Sequence, residues 1–245
     1  MTKRRQLTAL VLRTKPYRET SLMIDFFTAE EGRVSGVQKG YRGRRAQRSI
    51  QAFLLGELDS SNAEGLVSVY GFEVSNNLAP TNDQTASGFY VLELIFRALV
   101  ERQQEPVVFS AAVKALAELQ SGSVPHLLLR KFERTLLDQL GYGLDFEQAI
   151  NGRSQEPEVI HADTAYHYQP GLGFVRDFDR PDAEASLGGV VISGATLQRI
   201  KTEDYADASI CRDARMLYQS ALTLLIGHEP LESRKLLDVT LGMEG

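Results

Sequence analysis

The chain has 245 residues and a mass of 27.2 kDa, and 43% of its residues are hydrophobic, enough for one large core or two modest ones. Its formal net charge is −5, and one cysteine, Cys211, excludes an intramolecular disulfide framework and a Cys-rich zinc site. The basic N-terminus runs into an apolar stretch broken by Arg13 and Lys15, and no apolar run reaches about 18–20 residues without a charge, so neither a signal-peptide core nor a membrane span is expected.

A reducing, cytoplasmic compartment is the expected home. The average charge conceals a division. Residues 1–50 hold 12 Lys and Arg against 4 Asp and Glu, a balance of +8, while the rest of the chain carries −13. Binding responds to the local field of a patch rather than to the total, so an acidic isoelectric point does not exclude a polyanionic partner.

In chain order, QLTALVLRT, SLMIDFF, RVSGVQKG, IQAFLLGELD and GLVSVYGFEV each have strand length. In SLMIDFF, Leu22, Ile24 and Phe26 alternate with Met23, Asp25 and Phe27, and Gly32 can supply the positive φ that a tight connection needs. Five strands with no helical period among them predict a small antiparallel barrel over residues 1–79.

From Pro80 the period lengthens. Phe89, Leu92, Phe96 and Leu99 recur at helical spacing, Pro106 opens a second helix, and Gly122 ends it. HLLLRKFERTLLDQL continues the pattern with Leu128, Phe132, Leu136 and Leu140 on one stripe. Pro157, Pro170 and Pro181 interrupt it, which predicts a hairpin-like insertion or long ordered loop at about 145–190. Ser193 can cap a short helix, a long helix runs from about 208 to 226 with Gly227 as its stop, and LESRKLLDV closes the chain. The expected class is α+β: a barrel over 1–79 and a helical domain over 80–245.

The most concentrated signal is KGYRGRRAQR, with five cations and no anion in ten residues. It connects two predicted strands, so Gly40 and Gly43 can bring backbone close to a ligand. Lys39, Arg42, Arg44, Arg45 and Arg48 have the composition to meet successive phosphates, and Tyr41 offers a ring for base stacking. A merely solvated loop is the competing reading. On HLLLRKFERTLLDQL, Arg130 and Arg134 share a face with Lys131 beside them, a pattern that suits either an acidic partner peptide or an ordinary amphipathic helix.

Enzyme signatures are missing. There is no GxxxxGK[ST], and neither GYRG nor GLGF has dinucleotide-binding spacing. The histidines are scattered; His161 and His167 have only acidic neighbours such as Asp163 to complete a metal site. Cys211 reads as a small helix residue without an activating base. No catalytic residue, metal or cofactor is expected.

RTKPYRETSLMIDFFTAEEGRVSGVQKGYRG resembles the N-terminal signature of the RecO family of bacterial recombination mediators, and LRKFERTLLDQLGYGLDF and HEPLESRKLL resemble two later family stretches. The resemblance spans nearly the whole chain. It implies an OB-fold barrel followed by a helical domain, binding of single- and double-stranded DNA, and annealing of complementary strands. It further implies help in loading RecA onto DNA coated by single-stranded-DNA-binding protein, in concert with RecR. By position it places the Lys39–Arg48 loop on DNA, and Arg130 and Lys131 at a groove for the acidic, phenylalanine-ended tail of the single-strand binder. Two departures stand out. Many members carry a four-cysteine zinc module where this chain has no cysteine between 145 and 190, so that insertion is expected to be zinc-free. GELDSSNAEG also carries Asp59 and Glu64 where the family is often basic. A protein-interaction scaffold with incidental DNA contacts is the alternative to a DNA-repair mediator.

Overall fold

The computed structural model describes residues 4–40, 50–176 and 190–240. They form two compact units, one made of the described residues up to 125 and from 230 onward, and the other of those between 126 and 229.

In the first unit, strands β1 (Arg4–Tyr17), β2 (Ser21–Thr28), β3 (Gly32–Gln38), β4 (Leu54–Ser61) and β5 (Val67–Asn77) close into a barrel of order β1-β2-β3-β5-β4. β1 is long enough to pair with β4 through its first half and with β2 through its second. The parallel pairs Gly36↔Val67 and Val37↔Ser68 complete the closure, which leaves no open sheet edge. This is the expected five-stranded barrel, antiparallel as expected except at the β3–β5 seam. Alternation decides what faces in: Leu22, Ile24 and Phe26 join Leu7, Ala9, Val11, Leu54, Leu58 and Val69 in the barrel core.

The outward residues Leu10, Leu12 and Phe27 are also buried. Helix α1 (Thr85–Ala98) packs on β1, and Phe109 of α2 (Pro106–Gln120) meets the Phe27 ring edge-on at 5.3 Å. Pro106 stands at the start of α2, where its missing N–H leaves no bond unmade. The α1–α2 connection is pinned to the barrel: Arg102 N–H donates to the Arg33 carbonyl at 3.0 Å, and Glu101 bridges to Arg33. Helix α6 (Glu232–Thr240) belongs to this unit too, its first N–H groups capped by Glu93 of α1 at 2.9 and 2.8 Å. Packing thus divides the chain near 125 and 230, whereas the sequence turns from strands to helices near residue 80.

The second unit holds most of α3 (Pro125–Gln139), then β6 (Gln148–Asn151), β7 (Pro157–Val159), β8 (Ala165–Gln169), β9 (Gly173–Arg176), β10 (Val190–Ser193), α4 (Gly194–Lys201) and α5 (Ala208–Ile226). The insertion expected as a hairpin or a long ordered loop contains a hairpin, β8–β9, set within a five-stranded sheet of order β10-β8-β9-β6-β7. Pro157 opens the edge strand β7, a position where a strand tolerates proline. Phe146, Tyr168 and Phe174 form an aromatic cluster, with Phe174 5.3 Å from Tyr168 and 6.0 Å from Phe146. Ser193 caps α4 by accepting the Thr196 N–H, and Gly227, at φ 73°, ends α5.

Candidate nucleic-acid interface

The pairing register brings three cations to one end of the barrel. Tyr17 pairs with Ser21 across the β1–β2 turn, and Leu22 pairs with Gln38, so Lys39 follows directly in the same row. Lys15 lies two rows inward from Tyr17, in the row Lys15–Met23–Val37. Lys15, Arg18 and Lys39 are all exposed. Arg18 adopts φ 53°, and its guanidinium lies over the Tyr17 ring, 5.2 Å from the centroid.

Lys39 and Gly40 lead into the basic loop, and Ile50, which closes that loop, is anchored in the barrel core. Tyr41, Arg42, Arg44, Arg45 and Arg48 lie outside the described residues.

The other barrel arginines are occupied. Arg13 donates to Asp25 at 2.6 Å, and buried Asp25 also accepts from Ser35 at 2.6 Å. The Phe96 ring carries Arg13 at 3.4 Å and Arg33 at 4.5 Å, while Arg33 donates to the Leu99 carbonyl at 3.2 Å. Arg5 and Arg102 share Glu31, and Arg4 pairs with Asp59 at 3.7 Å while lying over Tyr70. Among the described residues Lys15, Arg18 and Lys39 have no carboxylate partner. Sequence reading found Lys39 and passed over Lys15, Tyr17 and Arg18, because only the strand register shows which isolated cations converge.

The opposite surface is acidic. Glu57 and Glu73 are cross-strand partners on β4 and β5, Asp59 follows on β4, and the Glu30 carboxylate accepts the Thr8 N–H at 3.0 Å. Of the negative residues noticed in GELDSSNAEG, Asp59 lies on β4 paired with Arg4, and Glu64 is exposed in the β4–β5 loop.

In the second unit, α3 does not present Arg130 on a basic rim. Arg130 is only 4% exposed and makes a two-pronged bond to buried Glu133. The buried stripe runs through Leu129, Phe132, Leu136 and Leu137, one position round from the spacing expected at Leu128. Lys131 is exposed and lies 3.5 Å from Glu203; Arg134 lies 3.8 Å from both Glu203 and Asp138 and donates to the Lys201 carbonyl at 2.8 Å. Separately, a cleft of about 690 Å³ opens between the β8–β10 edge and α5, lined by His167, Val190, Val191, Met216 and His228 among others.

Burial raises the Cys211 thiol above its ordinary range despite nearby Arg130, the wrong direction for a nucleophile. Among the described residues no three His, Cys, Asp or Glu side chains are grouped to hold a metal ion, and no helix is long and apolar enough to cross a membrane.

Comparison with known proteins decides the family. Residues 1–78 match the family model "Recombination protein O N terminal", and residues 81–235 match "Recombination protein O C terminal". The chain belongs to the RecO family of DNA repair proteins. The DNA repair protein RecO of Burkholderia pseudomallei is 33% identical over 232 residues, covering 94% of this chain and 81% of the relative. That of Tolumonas auensis is 34% identical over 236 residues, covering 93% and 92%, and that of Nitrosococcus oceani 34% over 233 residues, covering 94% and 91%. The RecO signature KPYRETS, read first as sequence, forms the end of β1, the β1–β2 turn and the start of β2, the same turn that displays Arg18. LRKFERTLLDQL is the helix that buries the Arg130–Glu133 pair.

Proposed function

We propose that this RecO-family chain is a non-enzymatic recombination mediator: its barrel binds single- and double-stranded DNA through the phosphate backbone, and its helical part docks proteins. The observation that carries the reading is the barrel end at which Lys39 leads into the basic loop, beside Lys15 and Arg18, with no carboxylate neutralising the three among the described residues. Tyr41, Arg42, Arg44, Arg45 and Arg48 extend that site by sequence.

Annealing requires no bond chemistry, only two strands shielded from each other's charge and held close enough to pair. Loading of RecA onto DNA coated by single-stranded-DNA-binding protein follows if the second unit holds that protein's acidic tail, with RecR as the cooperating partner. Lys131 and Arg134 are the surface cations of α3 that an acidic tail would reach, in competition with Glu203. Arg130, paired with Glu133, acts in this reading as a positioning residue for α3.

The test is salt-dependent anisotropy of a labelled single strand, together with annealing of complementary oligonucleotides in the absence of nucleotide. Five contacts from Lys39, Arg42, Arg44, Arg45 and Arg48 predict a log–log slope of about −3.5, from roughly 0.7 per single-strand contact. A slope near zero, or no annealing, overturns the reading.

A further inference from the structure

We infer that DNA is gripped at one end of the barrel only, where the β1–β2 turn and the end of β3 supply Lys15, Arg18, Lys39 and the Tyr17 ring, and that the β4–β5 side is closed to it. This rests on the DNA-binding reading and adds residues to it.

Small barrels of this order commonly use both the β1–β2 and β4–β5 connections against oligonucleotides. Here the two differ. The β4–β5 loop is held by Arg102, whose guanidinium donates to the Ala63 carbonyl at 2.7 Å and the Gly65 carbonyl at 3.0 Å while also engaging Glu31. The loop itself carries no cation and exposes Glu64, and the outer face of β4 and β5 adds Glu57 and Glu73 beside Asp59, which Arg4 partly neutralises. A phosphate backbone crossing that face meets like charge.

The β1–β2 turn offers the reverse. Arg18 is held in the left-handed region, a backbone state that a non-glycine residue adopts at a cost and that clusters at ligand sites. Its guanidinium is stacked on Tyr17, which orients the planar donor fork before a phosphate arrives. Lys15 and Lys39 flank it two rows apart on the same strands, and half-exposed Met23 and Val37, in the Lys15 row, supply an apolar floor for bases. The grip thus combines three cations, one preoriented guanidinium and an apolar strip.

The experiment compares the full-length wild type with Lys15→Gln/Arg18→Gly and with Arg4→Gln, using fluorescein-labelled oligodeoxythymidylate across a salt series. Glycine accepts the positive φ at position 18, so the turn keeps its shape. Lys15 and Arg18 add two contacts to the five of the basic loop, so the double variant is expected to flatten the wild-type slope by about 1.4, and Arg4→Gln, at the far end of β1, to leave it unchanged. An unaltered slope in the double variant, or an equal loss in Arg4→Gln, overturns the one-ended grip while wild-type binding upholds DNA recognition. Absence of salt-dependent binding by the wild type overturns both. Thermal melting confirms folding; if the double variant fails to fold, Lys15→Gln alone carries the test with about half the shift.

Discussion

Arg130 and Glu133, one turn apart on α3, form a two-pronged ion pair inside the second unit, with Nε–Oε2 at 2.6 Å and Nη2–Oε1 at 2.5 Å. Their side chains are 5% and 0% exposed, so both charges have left bulk water. Removing one partner takes its principal ion-pair contact from the other, which costs about 3–5 kcal/mol for a buried pair, whereas replacing both by apolar residues of similar volume is often neutral. Glu133→Ala should therefore destabilise strongly in urea unfolding, and Arg130→Met/Glu133→Leu should recover most of the loss. If Arg130→Ala left stability unchanged yet weakened binding of an acidic peptide, Arg130 would be a surface contact after all.

Gly32 tests the seam between the barrel and the α1–α2 connection. It sits at φ 69°, and a Cβ there would lie 1.8 Å from the Gln103 carbonyl oxygen. The clash is with backbone, so no side-chain rotation relieves it. Gly32→Ala should cost at least about 2 kcal/mol, from the positive φ and the forced displacement together. Amide exchange should accelerate first at Arg102, whose N–H is bonded to Arg33. Wild-type protection at Arg102 in the variant would show that the seam is looser than its geometry implies.

The barrel was legible because alternation is a local signal: Leu22, Ile24 and Phe26 announce a buried face, and the structure puts all three in the core. The sheet of the second unit was less so. Its strands are three to five residues long, too short for a period to register, and its β6–β9 pairing is a parallel, non-local contact. The site was half legible. Counting charge over residues 1–50 located the positive end of the chain, but Arg5, Arg13 and Arg33 are spent on Glu31, Asp25 and Phe96, a pairing that no composition count reveals. Helical spacing likewise put Arg130 beside Lys131 and Arg134 without showing that a one-position rotation of the buried stripe takes it inside.

Tyr168 sets an alkaline limit. Burial pushes its hydroxyl from an ordinary 10.0 up to about 12, and burial also raises Tyr205 and Tyr218. The folded state thus favours the neutral phenol. The associated stability is complete below the unfolded value near 10 and declines as pH rises until the folded value near 12 is passed. Urea midpoints taken at intervals from pH 9 to 12 should fall, and Tyr168→Phe, which deletes one of these titrations, should fall less steeply. Parallel curves for the two proteins would remove Tyr168 from the account.

Glu57 and Glu73 face each other across β4 and β5, and like charges in directly opposed positions destabilise a sheet. Both are exposed, so the repulsion is modest and screened by salt. Glu73→Lys replaces it with attraction and should stabilise the barrel by roughly 0.2–1 kcal/mol in dilute buffer, with the gain shrinking as salt is added. The same substitution adds a cation to the face that the one-ended grip leaves out of the DNA path. Stability should therefore rise while the salt slope of oligonucleotide binding stays at its wild-type value. A slope steepened by about 0.7, one further phosphate contact, would mean that DNA reaches β5 and that the acidic face is part of its route.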